Sequence, residues 1–137
     1  MGSIDILITN CDLFKKMRDL AERQEKVISE DRIDEFNELL TLREDIKNKV
    51  TANSKRYASE TMNNSRRKEH PGAKSLSAEI SAIIRSIQET DKRIEASIVA
   101  KKTALQDEIK NLRKGQNAVK RYGGGSSRIS KFFDKNS

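Results

Sequence analysis

Cys11 and His70 are the only cysteine and the only histidine in this chain of 137 residues. A thiol beside an imidazole could form an activated nucleophile, but nothing in the sequence positions these two residues for it. Cys11 lies in an apolar-periodic segment, and His70 lies in a predicted loop. Metal binding would need two or three converging His, Cys or carboxylate ligands, and the softer ligands are missing. The run Gly123-Gly124-Gly125 has no strand before it, no helix after it and no following Lys-Ser/Thr pair, so it is not a phosphate cradle. Carboxylates are abundant but alternate with cations, as in Glu22-Arg23, Glu25-Lys26 and Arg43-Glu44-Asp45, which reads as solvated helix surface. The chain is therefore read as a non-enzyme, with no catalytic residue, cofactor or metal. The lone Cys11 rules out an intramolecular disulfide and fits a reducing compartment, most simply the cytosol. On an apolar helix face it reads as a small buried hydrophobe.

Apolar contact is the other chemistry on offer. After Tyr122 and the three glycines come Ser126 and Ser127, then Arg128-Ile129-Ser130-Lys131-Phe132-Phe133-Asp134-Lys135. Glycine followed by serine is linker composition. The tail 122–137 is thus expected to be flexible and glycine-hinged, with Tyr122, Ile129, Phe132 and Phe133 as docking anchors. The alternative is a frayed terminus.

Composition sets the class of fold that must position these groups. The chain is 36% charged and 4% aromatic, with one Pro and no Trp. That is too little apolar material for a thick core, yet its spacing is regular, which suits helices meeting along narrow seams. The run Ile4 to Ile8 contains Asp5 and follows no basic residue, so neither a signal peptide nor a membrane span is expected. Residues 1–70 balance 14 basic against 14 acidic side chains, whereas residues 71–137 hold 14 against 7 and carry the whole net charge of +7. A basic end invites an acidic partner: nucleic acid, anionic lipid or an acidic protein surface. Without interleaved aromatics, nucleic acid is not favoured.

Three helices are predicted, at about 4–29, 32–62 and 74–119, forming an all-α, elongated antiparallel three-helix bundle over residues 1–121. The first stripe is Leu7, Cys11, Phe14, Met17, Leu20, Ala21 and Ile28; the second is Phe36, Leu39, Leu40, Leu42, Ile46, Val50 and Tyr57. The third runs through Leu76, Ile80, Ile83, Ile87, Ile94, Ile98, Leu105, Ile109, Leu112 and Val119 at spacings of 3, 4 and 7. It shifts register between Ile94 and Ile98, resembling a stutter, and Asp91, Lys101 or Lys102, and Gln116 interrupt it. The second and third helices read as antiparallel partners across a loop at about 63–73, marked by His70-Pro71-Gly72. Between the first two helices Ser29 or Asp31 offers an N-cap. Gly115 is a point at which the long helix could stop.

Two segments carry a family resemblance. Phe36-Asn37-Glu38-Leu39-Leu40-Thr41-Leu42-Arg43-Glu44-Asp45-Ile46 resembles the second-helix pattern of the flagellar type III export chaperones of the FlgN/FliT kind. Tyr122-Gly123, a small-residue stretch and Ser127-Arg128 through Phe132-Phe133-Asp134-Lys135 resemble the end of the same family. The resemblance implies a cytoplasmic, non-enzymatic chaperone. Such a protein holds a helical segment of a hook-associated or filament-cap protein, prevents premature assembly and delivers it to a component of the export gate. It also favours Tyr122 as the gate contact.

On that reading a client groove is expected along Ile87, Ile94, Ile98, Leu105 and Ile109, where the polar gaps leave a self-contained seam least complete. The tail would dock at the gate or fold back onto the groove. A homodimer, a purely structural coiled-coil rod, and a basic coiled coil on nucleic acid or an anionic membrane surface stay open as alternatives.

Overall fold

The computed structural model describes residues 2–63 and 71–121, with side chains for all of these except 63 and 118–121. His70 and the tail beyond Arg121 lie outside the described residues. The architecture is three helices, α1 (Ser3–Ser29), α2 (Ile33–Asn63) and α3 (Ala73–Arg121), with no strand among the described residues. The chain divides into two compact units, Met1–Ser97 and Ile98–Ser137.

Local chemistry sets the helix ends. The Gly2 amide donates to Asp5 Oδ2 at 3.2 Å, closing the first turn of α1 with a carboxylate where the helix dipole favours one. At the other end Arg32 N–H donates to the Val27 carbonyl (2.9 Å) and Asp31 N–H to that of Ile28 (3.2 Å). This pair of bonds is a Schellman closure, which requires a left-handed residue just past the helix. Asp31 fills that position with φ of 60°, a conformation that Asp tolerates better than most residues. Neither Ser29 nor Asp31 is therefore the N-cap of α2. The Ser29 hydroxyl donates back to the Lys26 carbonyl, and the first amide bond of α2 runs from Phe36 to Arg32. At the start of α3 the Gly72 carbonyl accepts the Leu76 amide at 3.0 Å. Gly115 does not stop α3, which continues to Arg121. A Cβ at Gly115 would meet nothing within 4 Å, so the helix carries this residue at the cost of propensity alone, about 1 kcal/mol.

The core of the first unit is organised by α1. One cluster joins Cys11 and Ala21 of α1 to Ile83 and Ile87 of α3, with Phe14, Met17, Leu76 and Ile80 packed around it. A second joins Leu20 and Val27 of α1 to Leu39 of α2, flanked by Phe36 and Ile46. At about 100° per residue these two sets fall on adjacent faces of α1. The apolar clusters of α2 and α3 thus both form against α1, whereas the sequence reading paired α2 with α3 directly. The reason is that α1 has a wide apolar surface with a small residue, Ala21, fully buried within it.

Ion pairs fix the directions. Lys15 meets Glu79 at 3.2 Å and Glu25 meets Arg93 at 2.6 Å, so α1 and α3 run the same way. Only residues 30–32 separate α1 from α2, and two packed helices joined by so short a connection form an antiparallel hairpin, so α2 runs back against both. Asn10 is 5% exposed and its Oδ1 finds no hydrogen-bond partner among the described residues, a local cost of about 1–3 kcal/mol.

Candidate functional site

Where α2 and α3 meet in the first unit, the junction is polar. Arg43 of α2 donates from both terminal nitrogens to Asp91 of α3, at 2.8 Å each. Its Nη1 also donates to Gln24 Oε1 of α1 at 2.7 Å. Gln24 is fully buried, at the boundary between the two apolar faces of α1, and its amide nitrogen reaches the Phe36 carbonyl at 3.5 Å. One guanidinium thus ties three helices, and its planar fork matches a carboxylate in a way lysine cannot. Arg43 was read from sequence as solvated surface. The available signal was that Arg43 and Asp91 interrupt two apolar stripes with opposite charges. This clamp is a built part of the bundle rather than an open site.

Cys11 also belongs to the interior. Burial, with the nearby Glu79 carboxylate second, pushes its thiol pKa above the ordinary value. A raised pKa leaves little thiolate at neutral pH, which suits packing rather than nucleophilic chemistry. Among the described residues no group of three or more His, Cys, Asp or Glu is placed to hold a metal. None of the described helices is long and apolar enough to cross a membrane.

The residues expected to line a groove fall into two environments. Ile87 and Ile94 are each 6% exposed and sit inside the first unit, Ile87 against Cys11 and Ala21. Ile98 and Leu105 are 40% and 58% exposed, and Ile109 is half-buried. The change falls between Ile94 and Ile98, at the stutter in the stripe and at the boundary of the units. Inside the first unit Glu25 pairs with Arg93, and α1 ends four residues later at Ser29.

Within the second unit, α3 keeps Ile98, Leu105 and Leu112 on one row, all exposed, with Val99 beside it and Ile109 alongside. Leu112 is not among the groove residues expected from sequence, although its spacing of seven from Leu105 places it on their row. Tyr122, Ile129, Phe132 and Phe133 lie outside the described residues. An exposed apolar row on a helix is a surface that a second helix can cover.

The comparisons with known proteins make the class specific. The family model of flagellar protein FliT matches residues 4–124. The chain belongs to the FliT family of flagellar export chaperones. No curated protein and no solved structure matches it significantly.

Proposed function

We propose that this chaperone acts in the cytoplasm, where it binds an amphipathic helical segment of a hook-associated or filament-cap protein along the exposed row of α3. It thereby keeps that segment from assembling early and passes the client to the export gate. The observation that supports this reading most is the row Ile98, Leu105, Leu112, a set of large aliphatic side chains 40–58% exposed at one-heptad spacing. Such a row gains about 25 cal/mol for each Å² that a client helix removes from water, and helix-on-helix docking is a common way to cover it. Ile87 and Ile94, spent on the protein's own core, then act indirectly by holding α3 in place. Residues 1–121 are the client-binding bundle on this reading, and the segment 122–137 is the docking arm, with Tyr122, Ile129, Phe132 and Phe133 offered to the gate.

The test is a calorimetric titration of the full chain with a terminal helical segment of a hook-associated or filament-cap protein. Leu105→Glu should weaken binding by at least about tenfold, since it both removes apolar contact and sets a charge in the seam. The same variant should leave the melting temperature unchanged, because Leu105 is 58% exposed. Undiminished affinity in a folded Leu105→Glu protein would place the client elsewhere.

A further inference from the structure

We infer that the partner helix received by the second-unit face of α3 is acidic along its flanks, with carboxylates set to meet Lys102 and Arg113. This inference rests on the client-binding reading above and adds the chemistry of the client. Residues 98, 102, 105, 109 and 112 follow the alternating spacing of four and three that defines a coiled-coil seam, so Lys102 stands inside the apolar row rather than beside it. A charged residue at one seam position sets register and partner choice at some cost in stability. Arg113 adjoins Leu112 on the edge of the same face, and both cations are exposed. Between residues 98 and 117 there are five basic and two acidic side chains. A basic helix lying on this row would meet repulsion along its length, and an acidic one attraction.

Charge also decides between occupants. A second copy paired in parallel would set Lys102 against Lys102 and one basic segment against another. A lipid surface favours a broad apolar face with aromatic anchors, but this row is narrow and residues 98–117 contain no Phe, Tyr or Trp. The same lack of aromatics removes the stacking platforms on which single-stranded nucleic acid is held. An acidic amphipathic helix from another protein satisfies both the row and the charges. The two cations lie eleven positions apart, or about three helical turns. The carboxylates of the partner are expected at matching separation.

The experiment uses the full chain and three synthetic amphipathic peptides of about three heptads, sharing one Leu/Ile seam but flanked by Glu, Gln or Lys. Fluorescence anisotropy at low salt should show the Glu peptide binding about tenfold more tightly than the Lys peptide, since each exposed ion pair contributes little and two act together. The Lys102→Glu/Arg113→Glu double variant, checked for unchanged helicity, should invert the order. Equal affinity for all three peptides would overturn the charge inference while leaving the apolar row as a client site. So would binding to phosphatidylglycerol–phosphatidylcholine vesicles that the double variant abolishes, or self-association that Leu105→Glu disrupts, when no peptide preference accompanies it. Failure of every peptide to bind would also overturn the inference, and the Leu105→Glu titration with a natural client segment then decides separately on the chaperone reading.

Discussion

Replacing Ile87 by alanine should cost about 2–4 kcal/mol of folding stability, the range for removing a large aliphatic side chain from a packed interior. Ile87 is 6% exposed and touches the Cys11–Ala21 face of α1, where little can relax to fill the space. Thermal unfolding followed by circular dichroism should show a drop of roughly 10 °C. Leu105→Ala, on the same helix and in the same stripe, should fall within about 0.5 kcal/mol of the parent, as exposed substitutions do. The contrast matters more than either value. Equal effects at the two positions would mean that the interior does not end near Ser97, and the assignment of the row beyond it to a client would lose its basis.

Arg43→Ala should be the most damaging change to a charged residue, at about 2–3 kcal/mol. Removing the guanidinium leaves Gln24 Oε1, in a fully buried side chain, without that donor, and Asp91 without its two bonds. The lower part of the range for a broken buried pair applies, because Asp91 is 42% exposed and water can take over part of its solvation. A fall of roughly 5–10 °C in the melting temperature is expected. Arg43→Lys should recover only a minority of it, since an ammonium cannot span both carboxylate oxygens and Gln24 together. An unchanged melting temperature in Arg43→Ala would show that the clamp adds nothing to the bundle.

These two residues also mark what the sequence made legible. Spacings of 3, 4 and 7 through Leu7–Ile28, Phe36–Tyr57 and Leu76–Val119 were enough to find three helices, because periodicity reports directly on which side chains share a face. Periodicity does not report what covers a face. Ile87 and Ile94 look the same as Ile98 and Leu105 along the stripe, and only their exposure in the folded chain separates them. The α1–α2 break was readable as a polar cluster, but its mechanism was not: a left-handed Asp31 leaves no mark distinguishing it from an N-capping Asp. Arg43 looked like solvated surface and Asp91 like a gap in the third stripe until the fold brought the two together. The polar gaps at Asp91 and Lys102 therefore have different fates. The first is answered within the chain by Arg43, and the second, on the client-binding reading proposed above, is left to a partner.

The central claim is that the row beyond Ser97, and not the interior around Ile87, receives the client. Amide hydrogen exchange of the full chain, with and without a saturating helical segment of a hook-associated or filament-cap protein, tests this directly. Slowed exchange concentrated in residues 98–117, with residues 83–94 unchanged, is the result expected. Protection confined to α1 and α2, with residues 98–117 exchanging as in the free protein, would contradict it.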